Sequence, residues 1–151
     1  MPEEDPLGIV EIGREELAIL VQLDRGSGLP QWSLQDYEGF WSEKHALILV
    51  AARSAGPVGF VCGRCVAGEA EILKLAVVEA HRRCGVGRGL VEQFLLRVEE
   101  TGCQSVYLDV RESNAPAIHL YDSCGFRVEG RRKGYYRDPQ EDALTMAKHT
   151  L

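Results

Sequence analysis

The sequence is poor in the features that mark metal, membrane and disulfide proteins. Its four histidines, His45, His81, His119 and His149, share no metal-ligand or triad spacing, and His119 between Ile118 and Leu120 reads as a structural helix residue. No long apolar run is present: Ala46 to Ala52 is far too short to cross a bilayer. Positive charge is also scarce, with 17 Lys and Arg against 23 Asp and Glu, so general affinity for nucleic acid or an anionic membrane is not expected. The first six residues, Met-Pro-Glu-Glu-Asp-Pro, are acidic and lack the basic and apolar regions of a signal peptide. A cytoplasmic protein is the expectation that follows. There is no internal repeat and no low-complexity tract.

What remains is the composition of an ordinary globular domain. A chain of 151 residues can bury a substantial core without disulfides or metals. Residues 1–8 are expected to form a flexible acidic N-terminus and residues 9–151 a single domain. The five cysteines, Cys62, Cys65, Cys84, Cys103 and Cys124, are an odd number, and reduced thiols are the simplest reading. Cys62-Gly63-Arg64-Cys65 is formally a C-x-x-C. It lies within a strand-like run, however, where positions three apart point to opposite faces, and no second pair at metal spacing accompanies it. No metal site is expected.

Periodicity gives an element order. Ile9 to Ile12 reads as a strand and Arg14 to Arg25 as a helix with Leu17, Leu20, Val21 and Asp24 at helical spacing. A turn-rich segment, Gly26-Ser27-Gly28-Leu29-Pro30-Gln31, precedes a short helix whose start carries a capping signal, Ser33 with Asp36. His45 to Ser54, Pro57 to Val66 and Glu69 to Val78 pattern as three consecutive antiparallel strands. Val86, Leu90, Val91, Phe94, Leu95 and Val98 share one face of a helix that ends at Gly102. Ser105 to Val110 is a strand, and Asn114 caps a helix that stops at Gly125. Phe126 to Arg131 and Ala143 to Lys148 close the pattern, joined by a polar segment from Lys133 to Asp142. The order is β-α-α-β-β-β-α-β-α-β-β, an α/β mixed sheet, mostly antiparallel, with helices on both faces.

Between a strand and a helix lies Arg82-Arg83-Cys84-Gly85-Val86-Gly87-Arg88-Gly89. The first turn of a helix has backbone N–H groups without intrahelical partners and favours negative charge. Gly85, Gly87 and Gly89 would admit a phosphate close to the main chain, and Arg82, Arg83 and Arg88 would add charge-assisted hydrogen bonds. The same residues would equally serve as a helix entry with ordinary glycine punctuation. Neither a P-loop nor the Gly-x-Gly-x-x-Gly of dinucleotide folds is matched.

With its neighbours, this loop resembles the acyl-CoA loop, Arg/Gln-x-x-Gly-x-Gly/Ala, of the GCN5-related N-acetyltransferase (GNAT) superfamily. The resemblance extends to Leu75-Ala76-Val77 before it and to Asn114, Ala117, Leu120, Tyr121, Gly125 and Phe126 after it, and is densest from about Glu69 to Met146. Within the superfamily, Leu108-Asp109-Val110-Arg111-Glu112-Ser113-Asn114, Leu120-Tyr121-Asp122-Ser123-Cys124-Gly125-Phe126 and Tyr135-Tyr136 are most similar to the RimI type, which acetylates the N-terminal alanine of a small-subunit ribosomal protein.

The resemblance implies the GNAT fold, acetyl-CoA as cosubstrate, no metal, and a primary amine as acceptor, a protein or peptide N-terminus being the first candidate. Leu75, Ala76 and Val77 would bind the cofactor through backbone groups; Arg82 through Gly89, including Cys84 and Val86, would hold its pyrophosphate; Asn114 would contact its pantetheine arm. Tyr121 would protonate the departing thiolate. Asp109 stands where the RimI type has a glutamate base, and its shorter side chain withdraws the carboxylate by roughly 1.5 Å, which favours a bridging water. Glu71 is the competing base, since many members use a glutamate on this strand, and period two would put Glu69, Glu71, Leu73, Leu75 and Val77 on one face. Trp32, Tyr135 and Tyr136 are candidates for the acceptor groove, although Pro30-Gln31-Trp32-Ser33 carries an extra residue within the family's Pro-Trp-Ser. A small-molecule amine acceptor and a non-catalytic CoA-binding module are the competing functions.

Overall fold

The computed structural model describes residues 5–25, 27 and 29–149. A seven-stranded sheet runs through it in the order β1-β2-β3-β4-β5-β7-β6. The strands are β1 (Gly8–Glu11), β2 (Ala46–Arg53), β3 (Gly56–Val66), β4 (Glu69–Val77), β5 (Ser105–Arg111), β6 (Arg127–Tyr136) and β7 (Glu141–His149). Every neighbouring pair is antiparallel except β4 with β5. Helices α1 (Ala18–Asp24) and α2 (Leu34–Trp41) cover one face; α3 (Val86–Glu100) and α4 (Ala115–Ser123) cover the other.

The caps work as their residues dictate. Ser33 accepts from the Asp36 amide at 3.1 Å while Asp36 accepts from the Ser33 amide at 2.8 Å, a complete capping box for α2. Ala67 and Gly68, both at positive φ, form the two-residue turn that pairs Val66 with Glu69. Arg14 to Arg25 is not one helix: a single 3-10 turn at Arg14–Glu16 precedes α1. The polar segment after Lys133 also differs from expectation, because β6 continues to Tyr136 and only residues 137–140 turn. An edge strand whose side chains are nearly all solvated has no hydrophobic alternation to announce it.

Two features of β4 position everything that follows. The first is a bulge opposite Cys62 and Gly63, where the register jumps from Lys74 to Ile72. A β-bulge breaks the period of two. Ala70 and Ile72 therefore pack into the α3–α4 core, whereas Lys74 and Ala76 turn to the α1–α2 side, where Ala76 joins that core. Glu69, Glu71 and Leu73 do not share a face with Leu75 and Val77, which pack against the α3–α4 core. Gly63 permits the bulge: a Cβ there would lie 2.2 Å from the Glu71 carbonyl oxygen and 2.6 Å from Phe94 Cζ. The second feature is a splay. β4 and β5 pair only at Glu69 with Ser105, Ala70 with Val106 and Glu71 with Tyr107, then diverge.

Cysteine chemistry also departs from the reading of five reduced thiols. Cys65 and Cys103, 6.7 Å apart at Cα, form a disulfide that ties the end of β3 to the turn between α3 and β5. Cys62, three residues from Cys65, is buried in the opposite core, so the C-x-x-C is not a paired motif. Among the described residues no group of three or more His, Cys, Asp or Glu is arranged to hold a metal, and no helix is long and apolar enough to cross a membrane.

Candidate active site

The splay leaves backbone groups of β4 without a strand partner. Val78 N–H bonds to the Val58 carbonyl at 2.9 Å, on the β3 side, so alternation turns Leu75 and Val77 toward the gap. The Val77 carbonyl there accepts from Arg82 Nε at 2.9 Å. An extended amide-bearing ligand could pair with this edge as a further strand does.

The gap opens into a cavity of about 310 Å3 whose walls include Leu73, Lys74 and Leu75 from β4, Leu108, Asp109, Val110 and Arg111 from β5, and Asn114, Ala117 and Tyr121 from α4. Tyr136 and the loop residues Ser27, Leu29 and Pro30 complete it. Asn114 holds its place by accepting from the Ala117 amide at 3.2 Å through Oδ1. Its side-chain amide N–H groups are not used in that cap. Pro116 sits in the first turn, where its missing N–H costs nothing.

Tyr121 is 6% exposed and packs its ring edge against Phe126, centroids 5.7 Å apart. Its hydroxyl has no hydrogen-bond partner among the described residues. Burial, reinforced by the neighbouring Tyr136 and Cys124, pushes its phenol well above the usual tyrosine range. The group is therefore a proton donor throughout the physiological range. Tyr136 is pushed up to about 12 by burial and by the charge of Asp109, and Arg111 stacks 4.4 Å over its ring.

Asp109 lines the same cavity. Its Oδ1 accepts from Thr145 Oγ1 at 2.8 Å and from Arg132 Nε at 3.2 Å, and no described residue donates to Oδ2. A second cavity of about 570 Å3 adjoins at Leu108 and Asp109 and is lined also by Arg64, Glu69, Glu71, Tyr107, Arg132 and Thr145. Glu71 belongs to this second cavity, 3.7 Å from Arg64, which is itself held by Glu43 at 3.0 Å. Asp109 is common to both cavities and Glu71 is not.

The anion loop is partly as expected. Gly85 is left-handed at φ +81, opens α3 without a side-chain cap, and has open space where a Cβ would sit. Arg83, also left-handed, and Cys84 are exposed beside it. Ahead of the first intrahelical bond, from the Gly89 amide to the Gly85 carbonyl, the amides of Val86, Gly87 and Arg88 remain for an anion. A pyrophosphate therefore fits this end of the helix. The side-chain positions of four loop residues serve packing or ion pairing instead. A Cβ on Gly87 would meet Leu120 at 3.2 Å, and one on Gly89 would meet Ile9 at 3.3 Å, so both glycines allow close packing. Arg88 is engaged by Glu92 at 2.9 Å and by Ser123 at 3.1 Å. Val86 is buried in the α3–α4 core.

The aromatic candidates separate. Tyr136 lines the smaller cavity, whereas Tyr135 is exposed with Arg132 5.6 Å from its ring centroid. Trp32 lines neither cavity. It packs on Tyr37 and Phe40 and under the Lys74 ammonium, anchoring the loop whose Ser27, Leu29 and Pro30 form the wall. Those three residues, with Lys74, were not signalled by the sequence. Proline and serine in a turn look alike whether they line a site or not.

Known proteins resemble the chain in sequence and in overall fold. The family described as "Acetyltransferase (GNAT) family" matches residues 15–126. Over 118 residues, 77% of the chain, the sequence is 34% identical to the ribosomal protein bS18-alanine N-acetyltransferase of Escherichia coli K12, covering 79% of that protein. The crystal structure of the E. coli ribosomal-protein-S18-alanine N-acetyltransferase superposes with a TM-score of 0.88 at 28% identity, over 96% of this chain and 94% of that one. Arabidopsis thaliana NAA60 in complex with acetyl-CoA shares the fold at 21% identity, TM-score 0.86, over 95% and 98%.

Proposed function

The chain belongs to the GNAT acetyltransferase family, and on that premise we propose that it transfers the acetyl group of acetyl-CoA to the N-terminal α-amine of a protein or peptide. The observation that carries this reading is the meeting of three parts in one cleft: the unpaired edge of β4, the carboxylate of Asp109 and the protonated phenol of Tyr121. Relatives named for acetylating an alanine of ribosomal protein bS18 and for N-alpha-acetyltransfer support the choice of acceptor.

Acetyl-CoA, when bound, supplies an acetyl group activated as a thioester. The uncapped start of α3 with Arg83 suits its pyrophosphate, and Leu75, Val77 and Asn114 suit its amide-bearing arm. The Val77 N–H side of the gap offers a donor to the carbonyl oxygen as charge develops there. An α-amine near pKa 7.8 is about one-tenth neutral at pH 7, so a modest base suffices. Asp109 takes the amine proton, through a water if the short side chain does not reach, and Tyr121 gives a proton to the departing sulfur. Both proton movements stay within one cleft.

The adjoining cavity, with Glu69, Glu71 and Asp109 on its walls, favours a cationic small amine as the second reading. Incubation with acetyl-CoA and either a peptide beginning Ala-Arg or a panel of polyamines, amino sugars and amino acids, read by thiol release, separates the two. CoA binding without thiol release in any arm would leave only a non-catalytic module.

A further inference from the structure

Asp24 is 0% exposed and Lys74 is 4% exposed, and they form an ion pair within the α1–α2 core. Burying two charges costs several kcal/mol unless geometry and further hydrogen bonds offset it. Here nearly every group about the pair is committed. Asp24 Oδ1 accepts from Ser27 Oγ at 3.0 Å; Oδ2 accepts from Tyr37 Oη at 3.0 Å, from the Trp32 amide at 3.4 Å and from Lys74 Nζ. Lys74 Nζ also donates to the Pro30 carbonyl at 2.7 Å and lies 4.8 Å from the Trp32 ring centroid. The Asp24 carbonyl accepts from Gln31 Nε2 at 2.8 Å, and Ser27 Oγ accepts from the Leu29 amide at 3.1 Å.

All of these bonds except that to Tyr37 and the ion pair itself end on the segment between α1 and α2. That segment supplies Ser27, Leu29 and Pro30 to the cleft, while Lys74 stands beside Leu75 on the splayed edge of β4. We propose that the Asp24–Lys74 pair is a latch that positions the acceptor-side wall of the active site, making both residues positioning residues for acceptor recognition. An apolar pair of the same volume would fill the core at lower desolvation cost, but it would give the loop no direction. Lys74 is not a catalytic base in this arrangement, because its ammonium already faces a carboxylate, a carbonyl and an aromatic ring.

The inference rests on the acetyltransferase reading, so its test needs one readout that does not depend on turnover. In Lys74→Met and Asp24→Asn, the KM for the acceptor amine is expected to rise tenfold or more, with kcat at saturating acceptor within about threefold. The Kd for acetyl-CoA is expected to stay within twofold. Independently, trypsin should cleave after Arg25, at the start of the freed segment, at least tenfold faster than in the wild type. Gln31→Ala, which removes one bond from an exposed residue, keeps the test available should a core variant not fold, with smaller shifts in the same direction. Unchanged cleavage would overturn the latch, and faster cleavage with an unmoved acceptor KM would overturn its positioning role. A wild type that acetylates no amine would instead sink the acetyltransferase reading, with cleavage still testing the latch.

Discussion

Thr145 stands opposite Asp109 in the β5–β7 ladder and donates to its Oδ1 at 2.8 Å. With Arg132 on the same oxygen, the carboxylate is fixed in orientation while no described residue donates to Oδ2. This is the arrangement a proton acceptor needs. Glu71 is held on the far side of the bulge, beside Arg64.

The two carboxylates should therefore behave differently. Asp109→Asn is expected to lower kcat/KM by about 10²-fold or more and to flatten the acidic limb of its pH profile. Glu71→Gln should change it by less than about threefold and leave the limb in place. Paired pH–rate profiles check this, and the reverse pattern would move the base to Glu71.

Tyr121→Phe should lower kcat by about 10² to 10⁴-fold while the Kd for acetyl-CoA stays within twofold, since only the hydroxyl is removed. The raised phenol pKa also fixes a pH window. The folded chain favours the neutral phenol, so its contribution to stability is complete below the ordinary tyrosine value near 10 and declines above it, as the unfolded chain ionises. Turnover should accordingly show no loss from Tyr121 ionisation up to about pH 9.5. A descending limb below pH 9 that vanishes in Tyr121→Phe would contradict the raised phenol pKa, and an unchanged kcat in Tyr121→Phe would contradict the proton-donor role.

Much of this architecture is legible in the residues. The capping box at Ser33 and Asp36, the Asn114 cap, the helical stripe from Val86 to Val98 and the two-residue turn at Ala67-Gly68 are local signals, and local signals are written in local sequence. The bulge in β4 was not legible. It depends on Gly63 of β3 meeting Phe94 of α3, and no pattern within β4 reveals a contact with either. Asp24 at helical spacing among leucines was the visible half of the buried pair, but its partner, Lys74, lies 50 residues away. Tyr121 was recognisable from its motif, whereas the loop residues lining its cavity are common turn residues.

Gly63 gives the sharpest test of the fold. A Cβ there would overlap the Glu71 carbonyl and the Phe94 ring, so Gly63→Ala should cost about 3 kcal/mol and lower Tm by roughly 6–12 °C. Gly39→Ala, on the exposed face of α2 with nothing within 4 Å, should raise stability by about 0.5–1 kcal/mol. Thermal melts of the two variants check both signs.

Cysteine accessibility tests the disulfide directly. Alkylation of denatured protein without reductant should modify Cys62, Cys84 and Cys124 only, and prior reduction should add Cys65 and Cys103. Five modified cysteines before reduction would show that the pair is open.

Intact-mass analysis of a peptide acceptor tests acetyl transfer to an α-amine most directly. A peptide beginning Ala-Arg, incubated with acetyl-CoA and this protein, should gain one acetyl group, located at the N-terminal amine by fragmentation, with one thiol released per acetyl. The same peptide recovered unmodified from a protein that releases thiol with small amines would contradict the peptide reading.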